Sequence, residues 1–406
     1  MLPLDGFKVL DLTRFLSGPY CTMVLADMGA DVIKVENFPL GDDSRRLGPK
    51  VNGESYPAAM PNRNKRSLAV NLKEERGREL FLRLAQESDL IIENFRPGVT
   101  GRLGIDYEAA KAVNQGILYC SITGFGQTGP YRDRAGFDII AQGVTGFMRM
   151  TGAPGGEPAK VGIAISDIAA GNAAALAILG AQMHRMKTGE GQYIDISLVD
   201  AGLAWTVWEA GAYFGDGELP EQMGSRHRRS APYQAFRTSD GYVTMGANNE
   251  RLWERLCNLV LERPQWLEEP RYLEGSDRIE NVEQLAVDIE EIVSRHPTRY
   301  WVEKLDAAGV PGGPVLRYDE TLQNEQVLAR DMVVELEHPK IGPMRALGVP
   351  MKMSGTPFTI RTPAPWLGQH SSEVLEAAGL SRGEIEELFE DEVIYDRYRN
   401  GEAENA

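Results

Sequence analysis

The sequence is poor in the residues that build disulfide frameworks and metal sites. Its 406 residues include 3 cysteines and 5 histidines. The cysteines are odd in number, far apart and in no CxxC pair, which disfavours a disulfide framework and favours a reducing, cytoplasmic compartment. No histidine stands in a ligand spacing such as HxxxH or HExxH, so we expect no bound metal.

Positive charge and long apolar runs are also scarce. The chain has 43 Lys and Arg against 59 Asp and Glu, which gives a formal net charge of -16. A protein this acidic repels phosphate backbones, and no basic stripe offsets the charge, so we expect no nucleic-acid partner. The N-terminus lacks the basic-then-apolar layout of a signal peptide, and no uncharged window of about 18 apolar residues predicts a membrane span. The most apolar stretch, residues 168–183, is rich in Ala and Gly and is typical of a buried core helix.

Strand and helix patterns alternate over residues 1–125. This order is typical of a parallel, doubly wound sheet, so we predict an α/β fold. No GxGxxG fingerprint follows the first strand, which argues against dinucleotide binding. Strands are predicted at residues 8–12, 31–36, 68–72, 90–93 and 117–122, with helices at residues 20–28, 74–86 and 107–113.

The chain is too long for one ordinary hydrophobic core, so more than one domain is expected. A helix is predicted at residues 199–214, and a β-hairpin at residues 236–245 begins a region of charged, amphipathic helices. From these changes in pattern we predict a large parallel-sheet domain, a linker, a smaller α+β domain, and a second linker with a C-terminal return to the large domain. Their respective bounds are residues 1–204, 205–228, 229–330 and 331–406.

An apolar run that ends in Ser166-Asp167 precedes a long run of small residues. This pattern predicts a helix from Asp167 to about residue 187, with an acidic residue in its first turn. Such a carboxylate satisfies free N–H groups and complements the helix dipole, so Asp167 could be only a helix cap. The same position could hold a nucleophile ionised at neutral pH, with Ala169, Ala170 and Gly171 leaving room for a bulky ligand. The pattern alone leaves both interpretations open.

Five stretches match motifs that occur together in one enzyme family. One contains the sequence NKRS and another the sequence ENFRPG. The five are residues 9–13 with Gly18-Pro19, residues 29–36, residues 64–67 with 71–73, residues 89–98 and residues 162–171. On these motifs, the chain from Lys8 to about Leu380 resembles the class III CoA-transferases, the CaiB/BaiF family of formyl-CoA transferase and carnitine CoA-transferase.

The resemblance implies an enzyme that moves CoA from an acyl-CoA thioester to a free carboxylic acid. Asp167 would be the nucleophile, passing through an aspartyl–acyl anhydride and an aspartyl–CoA thioester. Coenzyme A and acyl-CoA would be substrates, with no prosthetic group. The resemblance also implies an interlocked-ring homodimer in which a Rossmann-like large domain accompanies the smaller one. Position by position, it implies CoA contacts at Leu16, Ser17, Val70, Asn71, Leu72, Lys73, Asn94, Phe95, Arg96 and Arg102.

The chain departs from formyl-CoA transferase at several positions. Asn37 and Phe38 follow the second strand where that enzyme has arginines, for which Arg45 and Arg46 could compensate. A family lysine falls on Thr123, and the glycine-run loop over the formyl enzyme's site is missing. These departures disfavour formyl-CoA:oxalate exchange and favour a small dicarboxylate, carnitine-like or related carboxylate as the acceptor.

Three alternatives remain open. The segment in place of the missing loop carries Arg226, His227, Arg228 and Arg229, which could hold an acceptor carboxylate or could be a solvated linker. The main alternative activity is α-methylacyl-CoA racemisation, which needs an acid and a base that flank the substrate. The racemases carry a His-Asp dipeptide whose histidine position is Phe137 here, and a phenyl ring cannot move a proton, so racemisation is disfavoured. A non-catalytic CoA-binding protein is the third alternative.

Overall fold

A seven-stranded sheet forms the centre of the first of two units into which the chain divides. The computed structural model describes residues 1–399. The predicted domain and linker boundaries stay a prediction, and residues 400–406 of the predicted C-terminal return lie outside the described residues. We call the two units the sheet unit, which comprises residues 1–147, 160–217 and the described chain from Gln326 onward, and the second unit, which comprises residues 148–159 and 218–325.

The strands of the described chain, in order, are β1 (Lys8–Asp11), β2 (Asp31–Asn37), β3 (Lys50–Val51), β4 (Glu54–Ser55), β5 (Lys65–Val70), β6 (Leu90–Glu93), β7 (Leu118–Thr123), β8 (Tyr193–Ser197), β9 (Tyr233–Arg237), β10 (Tyr242–Gly246), β11 (Gly312–Pro314), β12 (Val333–His338), β13 (Gly342–Leu347) and β14 (Ile394–Tyr395).

The α-helices are α1 (Ser17–Asp27), α2 (Tyr56–Ala59), α3 (Glu75–Gln86), α4 (Val99–Leu103), α5 (Tyr107–Val113), α6 (Asp138–Val144), α7 (Phe147–Met150), α8 (Ile165–Thr188), α9 (Leu198–Ala204), α10 (Val207–Asp216), α11 (Glu250–Arg255), α12 (Gly275–Glu280), α13 (Val282–Val293), α14 (Thr298–Ala308), α15 (Tyr318–Thr321), α16 (Glu325–Ala329), α17 (Ser371–Ala377) and α18 (Arg382–Glu390).

The strand order of the large sheet is β14-β5-β2-β1-β6-β7-β8. Strand β14 pairs antiparallel with β5, and the other neighbours are parallel. The chain runs outward from β1 through β2 to β5, and then begins again at β6 on the other side of β1. Strand order therefore reverses between β1 and β6, and doubly wound sheets bind ligands at the carboxyl ends of strands at such a reversal. The predicted α/β class with a parallel sheet is confirmed.

Helices cover both faces of this sheet, because successive residues of a strand point to opposite sides. Val9 of β1 packs in a core with residues of α1 and α8. Leu10, the next residue, packs in a second core with residues of α3, α5, α17 and α18. The three layers fix the carboxyl end of β1 at the middle of the sheet unit.

Helix α8 packs so closely on α1 that a Cβ added to Gly171 would lie 2.6 Å from the carbonyl oxygen of Ser17. Ala169 and Ala170 are buried in the same region. The expectation that these small residues leave room for a ligand is therefore wrong, since they allow two helices to approach each other. By length and composition alone α8 could cross a membrane. Its residues in the core that it shares with α1 are Ala170, Ala174, Ala175, Ile178 and Ala181.

Several predicted elements have different bounds, as β5 and the helix predicted at residues 199–214 illustrate. The strand predicted at residues 68–72 is β5, which begins at Lys65, where it pairs with Val32 of β2. The Lys65 ammonium is buried and paired with Asp11 at 3.1 Å. A lysine in a sequence normally indicates a solvated position. The helix predicted at residues 199–214 is two helices, α9 and α10, and Thr206 between them donates its hydroxyl to Leu203 O at 2.8 Å.

The second unit has a hydrophobic core of its own. Its sheet has the antiparallel order β11-β10-β9, and β9 and β10 form the predicted hairpin. Arg278 is buried in this core, where it pairs with Glu250 at 2.6 Å and lies 5.0 Å from the centre of the Trp253 ring.

The loop after β1, residues 13–16, is fixed by buried polar groups, and we call it the β1 loop. Lys34 of β2 donates to the Thr13 carbonyl oxygen at 2.8 Å. Phe15, which has a φ of 61°, donates its N–H to Asp42 Oδ1 at 3.1 Å. The side chains of Lys34 and Asp42 are each 1% exposed and form an ion pair of 2.9 Å. The backbone of this loop is therefore held by one buried pair of opposite charges.

Burial by itself would lower the pKa of Lys34, but the negative charges of Asp42, Asp11 and Glu36 outweigh it and raise the pKa. Burial would likewise raise the pKa of Asp42, and the Lys34 ammonium reverses that effect. Each charge is tolerated inside the protein because the other is present.

We predict that Lys34→Met lowers the free energy of unfolding by about 3–5 kcal/mol, because it leaves Asp42 buried without its cation. Urea unfolding at neutral pH measures the change. Lys8→Met is the matched control, since the pair of Lys8 with Glu87 is solvent-exposed and its loss should cost less than about 1 kcal/mol. A small effect in both variants would contradict the role of Lys34.

Candidate active site

Two cavities open at the carboxyl ends of β1 and β6, where strand order reverses. We call them the Asp167 cavity, of about 240 Å³, and the Lys73 cavity, of about 510 Å³, after one lining residue of each. Arg14, Phe95 and Arg96 line both. The β1 loop and the segment after β6 therefore form walls that the two cavities share.

Most of the side chains predicted to contact CoA gather at these cavities. They come from the β1 loop, the start of α1, the segments after β5 and β6, and α4. The residues are Leu16, Ser17 and Asn94 at the Asp167 cavity, Leu72, Lys73 and Arg102 at the Lys73 cavity, and Phe95 and Arg96 at both.

Val70 and Asn71 line neither of these cavities. Val70 is a buried residue of β5 that packs in the core under α3 and α5. Asn71 Oδ1 accepts the backbone N–H of Lys73 at 3.2 Å. The Asn71 side chain thus supports the turn that presents Lys73.

Asn94 joins the two loops that form the shared wall. Its Oδ1 accepts the Arg14 N–H at 2.8 Å, and its Nδ2 donates to the Arg14 carbonyl oxygen at 2.8 Å. The Arg14 guanidinium lies 5.0 Å from the centre of the Phe95 ring and 3.4 Å from Asp43. Asn94 therefore shapes the cavity wall by holding the backbone of Arg14 in place. The Arg14 guanidinium already has an acidic partner in Asp43.

Asp138 supplies the cap on the first turn of α8, although Asp167 lies in that turn. The N-cap residue of α8 is Ala164, which cannot cap with its side chain. Asp138, at the start of α6, accepts the backbone N–H of Ser166 at 2.9 Å. Asp167 is left lining the cavity, so the interpretation of Asp167 as only a helix cap loses its support.

Gln142 holds Asp138 and the segment before α8 together. It is fully buried, and its Nε2 donates to Asp138 Oδ2 at 2.6 Å. The same amide accepts the Val161 N–H at 2.9 Å and donates to the Ile163 carbonyl oxygen at 3.3 Å. One side chain of α6 thereby fixes the approach to the helix that carries Asp167.

The environment of Asp167 favours its protonated form. Burial and, to a lesser extent, the nearby negative charge of Asp138 raise the pKa of Asp167 to about 7. The helix start is expected to hold Asp167 ionised at neutral pH, and burial opposes that expectation. Burial outweighs a helix-dipole effect that is worth about 1 kcal/mol or less.

Phe137 also lines the Asp167 cavity and is 63% exposed. Among the described residues that line this cavity there is no histidine. Proton transfer at an α-carbon needs an acid and a base on opposite sides of the substrate. The cavity therefore gives no support to racemisation. Within residues 1–399, no three His, Cys, Asp or Glu side chains are grouped as a metal site.

The arginines expected to compensate for Asn37 and Phe38 are engaged elsewhere. Arg45 is largely buried and pairs with Glu36 at 2.6 Å, while Arg46 is exposed and lies 3.8 Å from Asp43. The prediction that Arg45 compensates for Asn37 and Phe38 is therefore wrong, because the Arg45 guanidinium is already paired with Glu36 inside the protein.

Thr123 lines the Asp167 cavity where the family has a lysine, and its hydroxyl accepts the Gly126 N–H at 2.9 Å. The end of β7 thus contributes a neutral side chain to the Asp167 cavity.

The basic segment at residues 226–229 belongs to the second unit, where its arginines have acidic partners. Arg226 lies 3.6 Å from Glu283, and Arg228 and Arg229 lie 3.4 and 2.9 Å from Glu218. His227 Nδ1 accepts the Arg229 N–H at 3.1 Å. These groups interact with one another, and their role toward an acceptor stays a prediction.

Three residues of the Asp167 cavity were missed by sequence reasoning: Arg14, Arg134 and Asp138. Arg14 falls between the two parts of the first motif, residues 9–13 and Gly18-Pro19, and Arg134 lies in a polar loop. Asp138 had a signal, since it occupies the aspartate of the dipeptide compared with the racemases, but its contact with α8 is set by the fold.

The model of the family named CoA-transferase family III matches residues 4–371. This chain belongs to CoA-transferase family III. The human protein named succinyl-CoA:glutarate CoA-transferase is 38% identical to it, over 92% of this chain and 85% of the human one. The succinate–glutarate CoA-transferase of Agrobacterium fabrum is 39% identical, over 92% and 95% of the two chains. The crystal structure of a CaiB/BaiF family protein from Brucella suis is 37% identical, covers 93% of this chain and 99% of that one, and superposes with a TM-score of 0.84.

The resemblance inferred from the motifs is confirmed. The protein is a family III CoA-transferase, and CoA thioesters are its substrates. The chain is therefore an enzyme, and the alternative of a non-catalytic CoA-binding protein is wrong.

The resemblance implies that Asp167 is the nucleophile, and the charge state of Asp167 then predicts a pH dependence. A carboxylate attacks only when ionised, so kcat/KM for the acyl-CoA should rise as the pH passes about 7 and then level off. Asp138→Asn keeps an oxygen for the Ser166 N–H but removes the like charge, and should shift this midpoint down by up to roughly one unit.

Asp133→Asn, an exposed carboxylate that does not line the cavity, is the control and should leave the midpoint unchanged. The assignment fails if both variants retain the wild-type profile, or if Asp138→Asn moves the midpoint upward.

Proposed function

We propose that this enzyme transfers CoA between small dicarboxylates and that Asp167 carries first the acyl group and then CoA. The observation that carries the proposal is that Asp138 caps α8 and leaves Asp167 facing a cavity at the strand-order reversal. The relatives named for succinate and glutarate support the acceptor class.

The first half of the reaction loads CoA onto the enzyme. An oxygen of Asp167 attacks the thioester carbonyl carbon of the donor, the C–S bond breaks, and CoA leaves as a thiolate. The thiolate then attacks the Asp167 carbonyl carbon of the resulting anhydride. The donor departs as a free carboxylate, and Asp167 retains CoA as a thioester.

The second half repeats these steps with the acceptor. The acceptor carboxylate attacks the aspartyl–CoA thioester, which releases the thiolate and forms a second anhydride. The thiolate attacks the acyl carbon of the acceptor, and Asp167 leaves as a carboxylate. No proton is gained or lost over the cycle, so the enzyme needs a carboxylate nucleophile and no general base.

We propose that the Lys73 cavity binds the phosphate groups of CoA. Lys73, Arg96 and Arg102 line it, and each can donate charge-assisted hydrogen bonds to phosphate oxygens. A local cluster of cations is needed because the chain as a whole carries a net charge of -16.

We also propose the interlocked homodimer that the resemblance implies. In its support, large apolar side chains of α10 are exposed, with Trp208 at 80% and Phe214 at 84%. Ile139 and Val144 of α6 are also exposed. Large apolar side chains exposed to this extent are typical of surfaces that a partner covers. Sedimentation equilibrium should give twice the 44.9 kDa chain mass, and a monomer would contradict the proposal.

We propose a cytoplasmic location because the cysteine thiols are not joined in disulfides. Cys21, Cys120 and Cys257 are free and buried, and burial raises the pKa of the Cys257 thiol to about 12. Unpaired thiols fit a reducing compartment. Recovery of the protein in an oxidising compartment after cell fractionation would count against it.

The decisive variant is Asp167→Asn, which preserves the size of the side chain and removes the nucleophile. We expect CoA exchange between succinyl-CoA and glutarate, measured by chromatography of the CoA esters, to fall at least about 1,000-fold. Binding of CoA, measured by calorimetry, should stay within about threefold, because the phosphate contacts lie elsewhere.

Asp200→Asn is the matched control, because Asp200 is an exposed carboxylate in the first turn of α9 and does not line the cavity. Exchange should persist in this variant. Full exchange by Asp167→Asn would refute the covalent role.

A further inference from the structure

Arg134 differs from the other cations of the Asp167 cavity. Arg14 is paired with Asp43, and Arg96 also lines the Lys73 cavity. Arg134 lines the Asp167 cavity and is absent from the residues of the Lys73 cavity. Among the ion pairs of residues 1–399, none involves Arg134. It is therefore a positive charge at the reaction cavity with no acidic partner in that part of the chain.

The Arg134 guanidinium is held by an aromatic stack. It lies 3.7 Å from the centre of the Tyr131 ring, and the Arg134 N–H donates to the Tyr131 carbonyl oxygen at 2.9 Å. The Tyr131 ring in turn meets the Phe125 ring edge-on at 5.8 Å. Stacking uses the face of a guanidinium and leaves its in-plane N–H groups free, which is the geometry that binds a carboxylate with two hydrogen bonds.

The segment that carries Arg134 is fixed against the end of β7. A Cβ added to Gly136 would lie 2.5 Å from the Cα of Gly124, and one added to Gly124 would lie 2.6 Å from the Cα of Gly136. Only glycines permit this approach of the two backbones. The contact holds the segment from Arg134 to Asp138 beside the cavity, so Arg134 and the cap of α8 belong to one fixed stretch.

Arg134 and Asp167 line the same cavity, and no ion pair within residues 1–399 joins them. The Arg134 guanidinium is therefore available to an anion that enters this cavity.

We propose that Arg134 binds the second carboxylate of a dicarboxylate substrate, and that it thereby makes the enzyme prefer dicarboxylates over monocarboxylates of equal length. This inference rests on the proposed function, because it requires the acceptor to occupy the Asp167 cavity. A dicarboxylate has one carboxylate that reacts at Asp167 and one that remains charged throughout. Arg134 lines the cavity and offers that second carboxylate charge-assisted hydrogen bonds.

The test compares glutarate with pentanoate as acceptors, because the two have five carbons and differ in the second carboxylate. Succinyl-CoA at a saturating concentration is the donor for both acceptors, so that both acceptors react with the same aspartyl–CoA intermediate. Arg134→Gln should raise KM for glutarate about 10- to 100-fold and change kcat little, because the lost contact is outside the reacting bonds. KM for pentanoate should not rise, so the ratio of the two kcat/KM values should fall.

Arg134→Lys keeps the charge without the planar fork and should give an intermediate ratio. Arg132→Gln is the matched control from the same loop; Arg132 pairs with Asp133 at 3.4 Å and does not line the cavity. It should leave the ratio at the wild-type value. Thermal unfolding of all three variants checks that they are folded.

The inference is overturned if Arg134→Gln retains the wild-type ratio, or if it loses activity equally with both acceptors. Wild-type enzyme that transfers no CoA to either acid sinks the proposed function itself. Transfer through Asp167 with an unchanged ratio in Arg134→Gln sinks the inference about Arg134 alone.

Discussion

The buried ion pair of Lys34 and Asp42 is the interaction on which the candidate site depends. It carries two charges into the protein interior, and each is tolerable only because the other is there. Through Thr13 and Phe15 it fixes the β1 loop, which forms a wall of both cavities. A loop held in this way has little freedom to collapse into an empty cavity. Such a fixed wall loses little conformational entropy when a substrate binds.

The start of α8 reflects a second constraint, which relates stability to chemistry. A carboxylate in the first turn of a helix normally stabilises the helix. Here Asp138 performs that task from α6, while Asp167 faces the cavity with its pKa raised to about 7. The free energy of unfolding therefore falls as the pH rises from 3.8, the ordinary pKa of this carboxyl, to its pKa of about 7 in the folded protein. Such a cost is expected where a residue is retained for reactivity.

Much of the fold and part of the site could be predicted from the sequence. The alternation of strands and helices and the motifs around Asp167 are local patterns. They can be recognised in the sequence because they depend only on residues that are close together in the chain. The pairing of Asn94 with Arg14 joins residues far apart in the chain. Buried lysines such as Lys34 and Lys65 resemble solvated charges in a sequence, and nothing local distinguishes them. The wrong expectation about Ala169 and Gly171 has the same origin, because small residues look alike whether they face a ligand or a helix.

The central claim is that Asp167 forms a covalent bond with the acyl group and with CoA. The most direct measurement is to incubate the enzyme with succinyl-CoA, quench it with hydroxylamine, and map the modified peptide by mass spectrometry. We expect a hydroxamate on Asp167 that forms only when acyl-CoA is present and that does not form in Asp167→Asn. A modification on another residue, or none while CoA exchange proceeds, would contradict it.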